Sequence, residues 1–135
     1  MKKFLTSNKA FDLDIGLFIL RVFVGFTMLF GHGWGKMIRA MDGDYGFADV
    51  FGMGGTASLL LAIISEVICS AFLVLGLFTR AALIPLIITM LVAVFIIHAD
   101  DPFSKQEFGL LYLIPYITLF FTGAGKYALD EKLSK

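Results

Sequence analysis

Residues 56–98 read TASLLLAIISEVICSAFLVLGLFTRAALIPLIITMLVAVFIIH, and this stretch decides the fold class. It holds two apolar segments, 56–78 and 81–98, with Thr79-Arg80 as the only residues between them. Each is close to the ~20 apolar residues that carry a helix across a bilayer. Strands are excluded, because a lipid-exposed sheet edge leaves backbone groups unsatisfied and so few strands cannot close a barrel. A link this short makes the two helices antiparallel neighbours. Pro85, inside the second, is expected to kink it.

Working outward, residues 15–32 (IGLFILRVFVGFTMLFGH) and 108–123 (FGLLYLIPYITLFFTG, with Pro115 inside) extend the same pattern. The reading is an all-α integral membrane four-helix bundle, one domain over residues 1–135, with helices at 15–32, 56–78, 81–98 and 108–123. Residues 100–105 form a short polar link. Residues 33–55 are longer and rich in Gly and Asp, and Phe47, Val50 and Phe51 recur there at i, i+3 and i+4. That spacing predicts an amphipathic turn lying at the interface.

Composition supports a lipid environment. The chain is 59% hydrophobic and 16% charged with a mean hydropathy of +0.88, against about 45–50% and about 25% for soluble domains. Its net charge of zero offers no basic field for nucleic acid. Cys69 has no second cysteine to pair with and reads as a small buried apolar residue. Lys2, Lys3 and Lys9 resemble the charged region of a signal peptide. Asp12 and Asp14 come directly after them, however, and the apolar stretch behind carries Arg21, so the first segment is expected to stay as a membrane helix. Basic residues near the helix ends set orientation. Lys2, Lys3, Lys9, Arg80, Lys126, Lys132 and Lys135 fall on one side, against Lys36, Arg39 and Lys105 on the other. Both termini are therefore expected in the cytoplasm, with the long first loop, both histidines and Glu107 at the outer face.

Ionisable residues in the apolar segments are the candidates for chemistry, since each costs roughly 2.5–3.5 kcal/mol on insertion scales. Arg21 and Glu66 are expected to pair as guanidinium and carboxylate. Such a pair serves either as a clamp between the first two helices or as a polar floor under a ligand cavity or proton path. At 100° per residue Arg21, Gly25, Met28, His32 and Lys36 share one stripe of the first helix. Gly55, Ala62, Glu66 and Ser70 share a small-residue face of the second. Alternating topology then gathers His32, Lys36, His98 and Glu107 at one membrane face, near Asp100 and Asp101. Those groups suit a His–carboxylate proton relay, an anchor for ligand carbonyls, or interfacial hydrogen bonding. A metal site is disfavoured, because the donors come from separate helices with no ligand spacing. No motif binds a flavin, haem, cluster or nucleotide, and none marks a hydrolase.

The residues also resemble a known family. Leu20-Arg21, Gly25, Gly31-His32-Gly33 and Lys36, then Glu66, the 75–82 stretch LGLFTRAA, and Met90, Ala93 and His98 are similar to successive helices of the DoxX family. Residues 123–130 (GAGKYALD) resemble its terminal motif, with Lys126 where an Arg is usual and Ala128 where a Ser is usual. The resemblance implies a small multi-pass protein of the bacterial inner membrane, akin to the membrane component of a thiosulfate–quinone oxidoreductase. It implies a quinone-like ligand and a redox or oxidative-stress role, with soluble redox partner proteins or a second copy of the chain as partners beside the bilayer. Arg21, His32, Lys36, Glu66, His98 and Glu107 are the expected ligand and proton-relay residues. The alternatives are a non-catalytic scaffold that recruits redox partners and a small transporter. Fold resemblance alone does not make the chain an enzyme.

Overall fold

The computed structural model describes Ser7 and residues 12–135, so Lys2, Lys3 and Lys9 lie outside the described residues. The described chain is helical, with no strand among the described residues. Helix α1 spans Leu13–Met41, α2 Gly55–Leu75 and α3 Thr79–Ile97, and these three are long and apolar enough to cross a membrane. Helix α4, Phe103–Thr122, is of similar length but opens on the polar turn Lys105-Gln106-Glu107. A short α5, Leu129–Leu133, ends the fold.

Local chemistry explains where the helices stop. The Asp12 carboxylate caps α1 by accepting from the Ile15 N–H at 3.1 Å. With no proline in its path, α1 runs past the expected end at His32 to Met41. Gly76 ends α2 in the left-handed conformation, φ 68°, as a glycine at a helix C-terminus commonly does. The hairpin turn is therefore 76–78, and Thr79-Arg80 opens α3 instead of linking the helices as expected. Phe78 also takes a positive φ of 47°, which is costly for an aromatic residue. Two bonds hold it there: the Asp130 carboxylate accepts from the N–H of Phe78 at 2.7 Å and of Thr79 at 2.9 Å. Residues 42–54 contain no helix, and Gly43, Gly52 and Gly54 have positive φ, so the expected amphipathic turn there is absent.

Burial works against an ionised Asp130, yet the Thr79 and Phe78 N–H groups and the nearby Arg21 charge outweigh it. They hold its carboxyl below the usual carboxylate range. A carboxylate with a depressed folded pKa stabilises above its unfolded value and loses that contribution as pH falls through the folded one. Asp130→Asn is therefore expected to melt below the wild type at neutral pH, with the gap closing below about pH 4. Melting curves over a pH series check this; a gap independent of pH contradicts it.

In the packed structure, α1 lies on α2, α2 on α3, α3 on α4, and α4 returns to α1. Leu17, Val24 and Met28 of α1 meet Leu73, Leu83, Leu86, Met90, Leu113 and Leu119 in the core. Glycines allow the closest approaches. A Cβ on Gly25 would press on Val74 and the Ser70 carbonyl of α2, and one on Gly109 would strike Val94 of α3. The outer surface is apolar too: Phe23, Phe95, Phe108 and Phe121 are all more than half exposed. Soluble monomers rarely show apolar surface on this scale.

Candidate functional site

Three helices each contain one wide π-type turn: Leu29–Gly33 in α1, Ile64–Cys69 in α2 and Ala93–Ile97 in α3. Such a turn accommodates an extra residue and often sits at functional sites. Here the turns contain His32 and Glu66, and the third ends just before His98. In α1 the added residue shifts the helical phase. Gly33, not His32, takes the buried position, where a Cβ would lie 2.7 Å from the Glu66 carbonyl oxygen. The backbones of α1 and α2 therefore nearly touch at Glu66, and one turn further on Lys36 reaches its side chain.

The Lys36 ammonium donates to the Glu66 carboxylate at 2.6 Å. The Glu66 side chain is 5% exposed and that of Lys36 23%, so the acid is sequestered while the base borders open space. That space is a cavity of about 550 Å³ enclosed by all four long helices and residues 47–51. His32, Lys36, Glu66, His98 and Tyr112 line it, and most of the remaining wall is apolar. His32 stands edge-on to Tyr112 with ring centroids 5.4 Å apart. His98 Nδ1 lies 2.6 Å from the Asp101 carboxylate, and the His98 backbone carbonyl accepts from Gln106 at 2.9 Å. The His98 hydrogen bond outweighs desolvation and, helped by Lys105, holds the Asp101 carboxyl below its usual range. Deeper in, Tyr116 is fully buried, its hydroxyl without a hydrogen-bond partner among the described residues.

Two expectations are corrected. Arg21 does not pair with Glu66. Its guanidinium, fully buried, donates to the carbonyls of Leu73 at 2.8 Å, Val74, and Tyr127 at 3.1 Å. The reason is geometric. Side chains lean toward the N-terminus of their own helix. Because α1 and α2 are antiparallel, Arg21 leans to the hairpin end and Glu66 toward the cavity end, and they diverge. Glu107 is the second correction: it is exposed and does not line the cavity, because α4 presents Phe108, Gly109 and Tyr112 there instead. Of the expected residues, then, the structure brings together His32, Lys36, Glu66 and His98 and sets Arg21 and Glu107 apart. Tyr112 was not anticipated; the signal was there in Tyr112 and Tyr116, two hydroxyls four residues apart in the apolar run 108–117. Among the described residues no group of His, Cys, Asp and Glu is placed to hold a metal ion.

Comparison with known proteins gives the family. A Haemophilus influenzae protein described as uncharacterized is 33% identical over 129 residues, covering 88% of this chain and 91% of that protein. A second uncharacterized protein of the same organism is 35% identical over 75 residues, 53% of this chain and 50% of its own length. No solved structure matches the chain. The sequence profile of the DoxX family matches residues 16–99, from α1 beyond the end of α3, with Arg21, His32, Lys36, Glu66 and His98 all inside the match. The chain therefore belongs to the DoxX family of membrane proteins.

Proposed function

We propose that α1–α4 form a single-domain transmembrane bundle in the bacterial inner membrane, and that the cavity binds a quinone-like molecule as part of a redox or oxidative-stress system. The cavity carries this reading: mostly apolar walls of ligand-sized volume, with Lys36, Glu66, His32 and His98 converging on them. About 550 Å³ falls within the ~300–1,000 Å³ of small-molecule sites. The Lys36 ammonium is suited to donate to a ligand carbonyl. Glu66, held by Lys36, can accept or return a proton at the same oxygen. His98, oriented by Asp101, is a second donor at the rim. Electrons would come from a partner, because the residues supply none.

The orientation follows the same charge argument as the sequence. Arg80, Lys126, Lys132 and Lys135 belong to the hairpin end and Lys36, Arg39 and Lys105 to the cavity end, which favours cytoplasmic termini and an outward-facing cavity.

Mass spectrometry of an organic extract tests the ligand. Wild-type protein purified in mild detergent is expected to carry a stoichiometric quinone or similar lipid, and the Lys36→Met/Glu66→Gln variant to lack it. Empty wild-type protein in two detergents would instead favour a scaffold that recruits redox partners.

A further inference from the structure

The cavity has a side as well as an end. Near the hairpin, α2 and α3 pack closely, and Thr89 donates a hydrogen bond to Ser65 across them at 2.8 Å. Beyond that bond they take different partners. Gly55–Ile63 of α2 packs on Trp34–Met41 of α1, whereas Ala93–Ile97 of α3 packs on α4. The gap is flanked by Leu61 and Ile64 on α2 and by Ile88 and Ile97 on α3. All four line the cavity, and each is 43–49% exposed. Side chains that line a cavity and stay this exposed lie where it opens.

We propose that this opening is a lateral portal into the bilayer, and that the ligand is an amphiphile whose oxygen-bearing head reaches Lys36 and Glu66 while its apolar tail passes out between α2 and α3. The inference rests on the cavity being the ligand site. Its rim is aliphatic and lies within two helices apolar enough to span a membrane, so the medium at the opening is hydrocarbon. An aqueous entrance at this place would leave four large aliphatic side chains facing water. A tail in the opening would instead meet them on one side and lipid on the other. The ion pair joins α1 to α2 on the cavity wall, so a head group that enters first can reach it while its tail stays in the opening.

A labelling experiment that needs no bound ligand tests the portal. Ala62, buried and lining the cavity, is changed to Cys in a Cys69→Ala background and the protein is placed in lipid nanodiscs. With each rate divided by the reagent's rate on a small free thiol, a bilayer-partitioning pyrene maleimide should label Ala62→Cys faster than a charged thiosulfonate does. Adding Ile64→Trp and Ile88→Trp, which fill the rim, should slow the maleimide at least tenfold while gel filtration and helical circular dichroism stay unchanged. Equal maleimide rates with and without the rim tryptophans, or faster labelling by the charged reagent, would overturn the portal. Quinone retention separates this inference from the reading beneath it. The protein with a native rim should retain a benzoquinone with a long isoprenoid tail, and the rim variant only the tail-less benzoquinone. If neither quinone binds while the labelling pattern holds, the quinone reading fails and the portal stands.

Discussion

Arg21→Ala is expected to be the most damaging single substitution in the chain, lowering yield and melting temperature together at a cost of about 3–5 kcal/mol from the cavity left behind and the acceptors it strands. The guanidinium is fully buried and donates to three carbonyls, two from the last turn of α2 and one from the C-terminal segment. The Leu73 carbonyl also accepts from the Gly76 N–H at 3.1 Å, whereas the Phe78 N–H that could have met Val74 goes to Asp130. Removing the donor strands the Val74 carbonyl in a region where an unmet polar group costs roughly 1–3 kcal/mol. It also uncouples the C-terminal segment, whose Asp130 holds the strained turn at Phe78 and caps α3. Arg21→Lys keeps the charge but not the planar fork that spans both α2 and Tyr127. Its melting temperature should fall between the two. An Arg21→Ala protein that melts with the wild type would mean that the hairpin end is held by other contacts. The residue therefore acts as a clamp, but between different groups from those its position in the first helix suggests.

How much of this was legible in the sequence can be judged residue by residue. The helices were, because apolar runs of this length have no other way to satisfy their backbone in lipid. The ends were less so: α1 outran its apolar stretch, since residues 32–39 (HGWGKMIR) contain no proline, and their two glycines weaken a helix without ending it. The convergence of His32, Lys36 and His98 was readable from alternating topology alone. The partner of Glu66 was not. Choosing Lys36 over Arg21 depends on the direction in which antiparallel side chains lean and on the wide turns that reset phase, and neither leaves a mark in residue spacing. Asp130 was hidden for another reason. Its role is to cap a helix some fifty positions earlier in the chain, a contact that exists only after residues 123–133 fold back.

The ion pair yields the second large effect, through an asymmetry between its members. Lys36→Met leaves Glu66 almost fully buried with no counter-charge, and breaking such a pair from one side costs about 3–5 kcal/mol. Glu66→Gln should cost less. Lys36 is partly exposed, and its long stem can carry the freed ammonium toward the polar end of the helix. The double variant Lys36→Met/Glu66→Leu should melt near the wild type, because well-packed apolar residues commonly replace a buried pair at little net cost. In a double-mutant cycle the two changes should therefore be strongly non-additive. A pair that can be removed together without loss of stability is not needed to hold the fold. If that variant is as stable as the wild type and still loses the extracted lipid, the two charges serve the ligand. If it is stable and keeps the lipid, they serve neither, and the hydrogen-bonding role passes to His32, His98 and Tyr112. Additive losses would instead mean that each residue stabilises the bundle through contacts other than its partner.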